Sequence, residues 1–155
     1  FSAFAKLPEV HLRLEQIEPL LRETMDVFAG SHAHIRWSMS AENVPLVLLD
    51  REAIKRVFLN LLLNAAEVLQ DRTDGMVEAV IYGRKRNARV YVEIRDNGPG
   101  IRPEEQARMF EPYYSTKRGG TGLGLTIVKR IAALHGMTAS FDNARDGGFE
   151  ARIRW

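Results

Sequence analysis

Apolar and polar residues alternate along the chain in two rhythms, one typical of helices and one typical of strands. Four segments show helical spacing of apolar residues, and we predict helices over Ile17–Phe28, Arg51–Gln70, Pro103–Met109 and Leu123–His135. Asp50 is a suitable N-cap for the second of these helices. Gly30 and Gly136 stand where the first and last should end, as C-capping glycines commonly do.

Short segments between these helices read as strands. The strand candidates are Val10–Leu14, Ile35–Ser40, Leu46–Leu49, Met76–Tyr82, Val90–Arg95, Thr138–Asn143 and Phe149–Trp155. Asp146-Gly147-Gly148 predicts a hairpin between the last two. Because the strands are grouped with helices between them and do not alternate strictly, the order predicts an α/β fold, a two-layer sandwich with helices over one face of a mixed sheet.

Length and composition limit the number of domains and the kinds of partner that we expect. A chain of 155 residues favours one domain with a single core. Its 22 basic and 20 acidic residues give a net charge of +2 without a long block of one sign, so we expect no nucleic-acid partner. The cluster Arg84-Lys85-Arg86 lies between two strands and is typical of a solvated hairpin tip. The sequence contains no cysteine, which excludes disulfides and thiolate metal sites.

The first residues differ from the rest. Residues 1–5 are typical of the end of a helix that stops before Pro8, and we expect residues 1–8 to join a preceding helical segment to a domain at residues 9–155. A chain that begins without methionine suggests a fragment of a longer protein. No apolar run approaches the ~20 residues that span a bilayer.

The second predicted helix carries a polar stripe. Arg56, Asn60, Asn64 and Glu67 follow one another at spacings of four, four and three on an otherwise apolar helix. This stripe is either a solvated face or one side of a polar site. A buried amide without a partner costs on the order of 1–3 kcal/mol, which favours a polar ligand or ordered water. The carbonyl oxygen of Asn64 suits Mg²⁺, which prefers oxygen ligands.

Two glycine-rich segments indicate a nucleotide. Asp96 ends a strand, and Gly98 and Gly100 leave room for a planar base, so the carboxylate could accept from the amine of adenine. A tight turn with an Asx bond explains the same residues equally well. Residues 119–124 hold four glycines ahead of a helix, where free N–H groups bind phosphate, with Lys117 nearby. Residues 113–122 are typical of a mobile lid.

The sequence gives little support for nucleophilic catalysis or for a histidine metal site. Of the four histidines, His11, His32, His34 and His135, we expect all to be structural: His32 and His34 lie in a polar turn without acidic partners, and His135 lies at a helix end that favours a cation. No Ser/His/Asp or Cys/His arrangement and no set of metal-binding histidines stands out.

Four motifs in order resemble the catalytic, ATP-binding domain of bacterial sensor histidine kinases, in the superfamily that includes gyrase B, Hsp90 and MutL. Asn60–Asn64 is similar to the N box and Asp96–Gly100 to the first glycine box. Residues 110–114 are similar to the F box and 120–125 to the second glycine box. The short lid and residues 1–8 resemble nitrogen-regulation sensor kinases.

The resemblance implies the ligands ATP and Mg²⁺, with Asn64 on the metal, and no catalytic residue beyond those that position ATP. The residues it assigns to the nucleotide are Asn60, Asn64, Asp96, Gly98, Gly100, Ile101, Lys117, Gly120, Thr121, Gly122, Leu123 and Gly124. Phe110 would anchor the lid. The sequence departs from the family pattern at two places. Glu67 stands where many family members have lysine, and the threonine that the family usually has near the positions of Gly148 and Phe149 is missing here.

The resemblance also implies an ATP-dependent protein histidine kinase fragment without a phosphoacceptor histidine, since no histidine here is followed by the family's acidic residue and proline. The expected partners are the dimerisation domain of the same protein and a response regulator. We expect a monomeric fragment of a homodimeric, cytoplasmic kinase module, and membrane anchoring of the parent stays open. Two alternatives remain: a conformational ATPase like gyrase B or MutL, disfavoured by Asn60 in place of a glutamate, and a non-catalytic domain of the same fold.

Overall fold

A computed structural model describes residues 9–109, 111 and 124–155. Its elements are β1 (Arg13–Glu15), α1 (Ile17–Ser31), β2 (Arg36–Glu42), β3 (Val47–Leu49), α2 (Arg51–Val68), β4 (Met76–Arg84), β5 (Arg89–Asp96), α3 (Pro103–Gln106), α4 (Gly124–Leu134), β6 (Thr138–Asn143) and β7 (Phe149–Arg154). The predictions for residues 1–8, for Phe110 and for the lid lie outside these described residues.

Five strands form one mixed sheet in the order β2-β4-β5-β7-β6. β2 runs parallel to β4, with Arg36 opposite Met76, and the remaining pairs are antiparallel. β1 and β3 form a separate two-stranded sheet in which Leu14 lies opposite Leu48. The predicted mixed sheet and both predicted hairpins, β4–β5 and β6–β7, are therefore confirmed.

Helices cover one face of the large sheet. α2 packs between α1 and α4, α1 contacts β2, and α4 contacts β6. Ile54, Phe58 and Leu62 of α2 are fully buried in the core beneath this layer. Because burying a large aliphatic or aromatic side chain stabilises a protein by about 1.5–3 kcal/mol, this central helix is a major source of stability. The two-layer α/β arrangement predicted from the sequence is confirmed.

Alternation along β5 decides which side chains face the helices. Val90, Val92 and Ile94 are buried on the helix side of the sheet. Asp96 follows at the same two-residue period, so its carboxylate points to the same side at the carboxyl end of the strand. The intervening Glu93 lies on the opposite face. The Asp96 carboxylate therefore lies on the same side of the sheet as α2.

The face of the sheet opposite α1, α2 and α4 carries an ion-pair network centred on Glu93, which is only 3% exposed. Its Oε1 accepts from Arg95 at 2.5 Å, and its Oε2 accepts from the hydroxyl of Tyr82 at 2.7 Å and from Nε of Arg152 at 2.9 Å. Burial and the hydrogen bond to Glu93 raise the pKa of Tyr82. Three donors on one carboxylate compensate for its loss of water.

Asp50 caps α2 as predicted. Its Oδ1 accepts from the backbone N–H of Ala53 at 3.1 Å, and its Oδ2 accepts from the N–H of His11 at 2.9 Å. Burial acts to raise the pKa of Asp50, but the backbone donors of His11 and Ala53 outweigh it, so the pKa lies below its usual value. The cap therefore joins the helix to the segment ahead of β1.

His135 has a structural role, as expected, because its ring contacts two helices. The backbone N–H of Asp50 lies 3.0 Å from Nε2 of His135, and Nδ1 lies 2.9 Å from the carbonyl oxygen of Ile131. An N–H group can only donate, so Nε2 is the acceptor for the N–H of Asp50. The ring links the end of α4 to the start of α2.

Two helices end at least two residues earlier than predicted. α2 stops at Val68 because Leu69 leaves helical geometry and the N–H of Gln70 turns to the carbonyl of Glu67. α3 contains only residues 103–106 and continues as turns, with the N–H of Arg108 bonded to the carbonyl of Glu105. Such ends depend on local backbone bonds that periodicity does not determine. Of the helices in the described ranges, none is both long and apolar enough to cross a membrane.

Candidate functional site

Asp96 begins a loop, residues 96–101, that we call the base loop. The Asp96 side chain is 6% exposed, and its Oδ1 accepts from the N–H of Gly98 at 2.9 Å and of Phe149 at 3.3 Å. The Asx bond expected from the alternative interpretation is therefore present. A carboxylate offers about four acceptor sites, so this turn and recognition of an amine are compatible.

Gly98 places the base loop against the end of α2. A Cβ at this position would lie 3.0 Å from Oδ1 of Asp96 and 3.2 Å from Cγ2 of Val68. Both distances are tighter than ordinary contact, so any larger residue would push the loop away from the helix. The absence of a side chain keeps the backbone at position 98 close to both groups.

Gly100 has a backbone conformation that favours glycine. Its φ is +75°, and a Cβ there would lie 2.5 Å from the carbonyl oxygen of Gly147 and 2.6 Å from Oδ1 of Asn143. Both the left-handed backbone and the crowding exclude a side chain. Ile101 follows, half-buried, and is bonded through its backbone to Asn143.

Asn97 ties the base loop to the start of β4. Its Oδ1 accepts from the N–H of Met76 at 2.7 Å, and its Nδ2 donates to the carbonyl of Asp74 at 2.8 Å. The hydrogen bond from Arg72 lowers the pKa of the Asp74 carboxyl on the same turn. The side chain of Asn97 therefore has a structural role, while that of Asp96 faces the helix layer.

The polar stripe of α2 is half-buried. Arg56, Asn60 and Asn64 are partly covered, whereas Glu67 is exposed. In the described part of the chain, Nδ2 of Asn60 is a buried side-chain nitrogen that has no hydrogen-bond partner. A buried amide in this state costs roughly 1–3 kcal/mol, so a polar ligand beside it would be favourable. The stripe is thus more than a solvated face.

Asn64 lies beside the start of α4. A Cβ added at Gly124 would be 3.9 Å from Oδ1 of Asn64, which places the amide next to the first residue of that helix. Val68 follows Asn64 by one helical turn and contacts the base loop at Gly98. Adjacent turns on one face of α2 therefore contact both the base loop and the start of α4.

The remaining predicted site residues lie outside the described part of the chain. They are Lys117, Gly120, Thr121, Gly122 and Leu123. The structure brings together the members that it describes, which belong to α2, the base loop and the start of α4. Within residues 9–109, 111 and 124–155, no three histidine, aspartate or glutamate side chains are grouped to hold a metal ion.

Sequence reasoning missed the part played by the β6–β7 hairpin. Asn143 bonds Ile101, and Phe149 donates its N–H to Asp96, across separations of 42 and 53 residues. Gly148 approaches Asp96 so closely that an added Cβ would collide with the carbonyl oxygen of Asp96. The consecutive pair Gly147-Gly148 was the one available signal, since such pairs often mark close backbone approach.

Comparison with known families agrees with this geometry. The profile of the family described as "Histidine kinase-, DNA gyrase B-, and HSP90-like ATPase" matches residues 49–155. The matched range begins at the end of β3 and includes α2, the base loop and the closing hairpin. The chain belongs to this family of ATPase domains.

Its relatives among characterised proteins are sensor histidine kinases. The chain is 55% identical over 65 residues to Sensor protein QseC of Salmonella typhi, covering 40% of this chain and 14% of that protein. It is 34% identical over 152 residues to sensory histidine kinase/phosphatase NtrB of Rhizobium meliloti, covering 89% and 38%. Nitrogen regulation protein NtrY of Azorhizobium caulinodans is 28% identical over 152 residues, covering 95% and 20%. The chain thus spans 14–38% of the length of these relatives.

Solved structures of the same fold include the catalytic domain of a histidine kinase. The catalytic domain of histidine kinase ThkA matches with a TM-score of 0.82 and 28% identity, over 93% of this chain and 96% of that one. Full-length ShkA in complex with AMPPNP matches with a TM-score of 0.82 and 27% identity, over 97% and 33%. ThkA in complex with response regulator protein TrrA matches at 0.77 with 23% identity, over 94% and 41%, which shows the fold alone.

Proposed function

We propose that residues 9–155 form the Mg-ATP-binding catalytic domain of a sensor histidine kinase and donate the γ-phosphoryl group to a histidine on a separate dimerisation domain. The observation that carries this proposal is the meeting of three elements at one end of α2. Val68 contacts Gly98 of the base loop, and Asn64 lies beside Gly124 at the start of α4. A nucleotide spans base, ribose and phosphates, so it needs adjoining sites of this kind.

The base end of the site is suited to adenine. The Asp96 carboxylate lies on the helix side of the sheet, fixed by two backbone donors. A carboxylate accepts from the exocyclic amine of adenine and repels the carbonyl of guanine, a difference of roughly 1.5–3 kcal/mol. Gly98, Gly100 and Ile101 would line the base.

The phosphate end is assigned to the residues near α4 and on α2. Lys117 and the backbone N–H groups of residues 120–124 would hold the phosphates, because the amino end of a helix favours anions. Asn64 would ligate Mg²⁺ through its carbonyl oxygen. The partnerless Nδ2 of Asn60 fits a ligand rich in oxygen acceptors. When bound, Mg²⁺ would neutralise charge on the phosphates and on the departing group.

Asn60 also bears on whether the site acts as a kinase or as an ATPase. An amide cannot take a proton from water at neutral pH, so a site with Asn60 instead of a carboxylate hydrolyses ATP slowly. Phosphoryl transfer to an incoming nucleophile needs mainly positioning and electrostatic stabilisation, which remain available. This residue therefore favours the kinase over a conformational ATPase of the gyrase B type.

The implied partners follow from the relatives. ThkA has been solved with the response regulator TrrA, and ShkA has been solved at full length with AMPPNP. By analogy, the partners of this chain are a dimerisation domain of the same protein and a downstream response regulator. We place the domain in the cytoplasm as part of a homodimeric kinase, with residues 1–8 as the hinge to the dimerisation helices.

A transfer assay tests this proposal. The chain is mixed with a dimerisation segment that carries a phosphoacceptor histidine and with labelled Mg-ATP, and acid-labile phosphohistidine is measured. We expect transfer by the wild type and by Asn87→Ala, a control at the β4–β5 turn, and no transfer by Asn64→Ala. Rapid phosphate release without phosphohistidine would support the conformational ATPase instead. Binding of no nucleotide would support the non-catalytic alternative.

A further inference from the structure

The amide of Asn143 makes two hydrogen bonds to the backbone of one residue in the base loop. Its Oδ1 accepts from the N–H of Ile101 at 2.6 Å, and its Nδ2 donates to the carbonyl oxygen of Ile101 at 3.0 Å. A side-chain amide has one acceptor and one donor side, so this arrangement reproduces the pairing of two strands. Asn143 is the last residue of β6, and Ile101 is 42 residues away in sequence.

The same hairpin holds the other end of the base loop. The N–H of Phe149 donates to Oδ1 of Asp96 at 3.3 Å, and the backbone at Gly148 lies directly against the Asp96 carbonyl. Between these two attachments, Gly100 fits closely against Gly147 and Asn143. Both ends of the loop are therefore fastened to one β-hairpin, and Asn143 supplies the side-chain contact at Ile101.

We propose that Asn143 is a positioning residue for nucleotide binding, which holds Ile101 and Gly100 in the conformation that receives the base. This inference rests on the proposed function, and it adds a residue to which neither the sequence motifs nor the glycine boxes point. Ordering the loop before the ligand arrives removes an entropic cost from binding. The wall of the base site is then set by the hairpin as well as by the loop itself.

The chemistry of the amide makes the inference specific. Asn143→Asp keeps the shape and the acceptor for the Ile101 N–H, but it loses the donor and places a second carboxylate oxygen against the Ile101 carbonyl. Asn143→Ala removes both bonds. Since each bond contributes modestly at an exposed position, we expect ATP affinity to fall about tenfold in Asn143→Ala and at least as much in Asn143→Asp.

The test measures KM and kcat for Mg-ATP in the transfer assay, together with unfolding by urea and amide exchange. A residue that only orients the base loop changes ground-state and transition-state binding equally, so KM rises about tenfold while kcat is unchanged. The amide proton of Ile101 should exchange faster in both variants, and that of the core residue Val92 should not. Asn87→Ala is the matched control, because Oδ1 of Asn87 accepts from the N–H of Arg89 in the turn at the far end of β5.

Three results separate the possible failures. A wild type that binds no Mg-ATP overturns the proposed function and this inference with it. A wild type that is active, with Asn143 variants whose KM stays within about twofold, overturns this inference alone. A fall in kcat together with lower unfolding free energy in both variants also overturns it, because that pattern indicates a general structural role.

Discussion

Gly148 and Asp96 are in direct backbone contact, although Gly148 lies in the turn before β7, Asp96 ends β5, and the two are far apart in sequence. A Cβ at position 148 would collide with the carbonyl oxygen and carbon of Asp96. The next residue, Phe149, donates its N–H to the Asp96 carboxylate. The hairpin thus reaches the carboxylate through its backbone alone, which requires a glycine at its closest point.

Gly148→Ala should therefore damage both stability and the site. The methyl group must displace the backbone near Asp96, and overpacking of this kind costs typically about 1–3 kcal/mol. Urea unfolding measures the loss. Gly30→Ala is the control, since a Cβ at Gly30 meets nothing within 4 Å and lies in a helix, where alanine is favoured by about 0.5–1 kcal/mol. Equal stability of the two variants would contradict the contact.

The variant Asp96→Asn tests whether the Asp96 carboxylate recognises the amine of adenine. The amide keeps an oxygen for the N–H of Gly98, so the fold should survive, but it loses the charge that an amine donor prefers. We expect Mg-ATP affinity to fall at least tenfold, in keeping with the roughly 1.5–3 kcal/mol of a charged hydrogen bond. Asp142→Asn makes the same charge change at an exposed position of β6 and should bind as the wild type does. Unchanged affinity in Asp96→Asn would end the adenine assignment.

Arg95 pairs with two carboxylates of different burial, Glu93 and Glu78, so removing each in turn tests how burial affects the strength of an ion pair. Glu93 is buried and holds Arg95, Arg152 and Tyr82, so Glu93→Ala should lower the free energy of unfolding by about 3 kcal/mol. Glu78, 52% exposed, lies 3.5 Å from the same Arg95, and Glu78→Ala should cost less than about 1 kcal/mol. Urea denaturation compares the two. Similar losses would show that burial does not govern the strength of these pairs.

The N-cap of α2 predicts a pH dependence. The pKa of Asp50 in the folded chain is below the 3.8 of the free carboxyl, because backbone donors outweigh the opposing effect of burial. A lowered pKa means that the ionised cap contributes its full stability above about pH 4, and this contribution is lost as the pH falls through the folded pKa. Wild-type stability should decline over this acidic range.

Two variants isolate the contribution of that cap. Asp50→Ala should lose about 1 kcal/mol near neutral pH, the usual value of an N-cap. Asp50→Asn keeps a capping oxygen and should lose less, while its stability should vary less with pH below about 4 than that of the wild type. Urea unfolding at several pH values checks both. The same acid sensitivity in Asp50→Asn and in the wild type would assign it to other carboxylates.

The fold could be predicted from the sequence where the signal is local. Asp50 as a cap, Gly136 as a helix stop and the glycine pair before Phe149 each act through neighbouring residues, and the structure confirms them. Gly136 has a φ of +65°, which is typical of a glycine that ends a helix. The prediction that Asp96 ends a strand is likewise confirmed, because β5 runs from Arg89 to Asp96.

Features that depend on distant partners could not be predicted. The two bonds of Asn143 to Ile101 and the burial of Glu93 among three strands arise only once the sheet has its order. His135 shows the same limit. Its Nε2 accepts from the backbone N–H of Asp50, 85 residues away, a contact that the helix end alone does not predict.

Calorimetry with Mg-ATP and Mg-GTP tests the central claim most directly, namely that α2, the base loop and the start of α4 form one adenine-nucleotide site. We expect heat of binding with Mg-ATP, weaker binding of Mg-ATP by both Asn64→Ala and Asp96→Asn, and an affinity for Mg-GTP that is at least about tenfold lower. Absence of binding to Mg-ATP, or equal affinity for the two nucleotides, would contradict it.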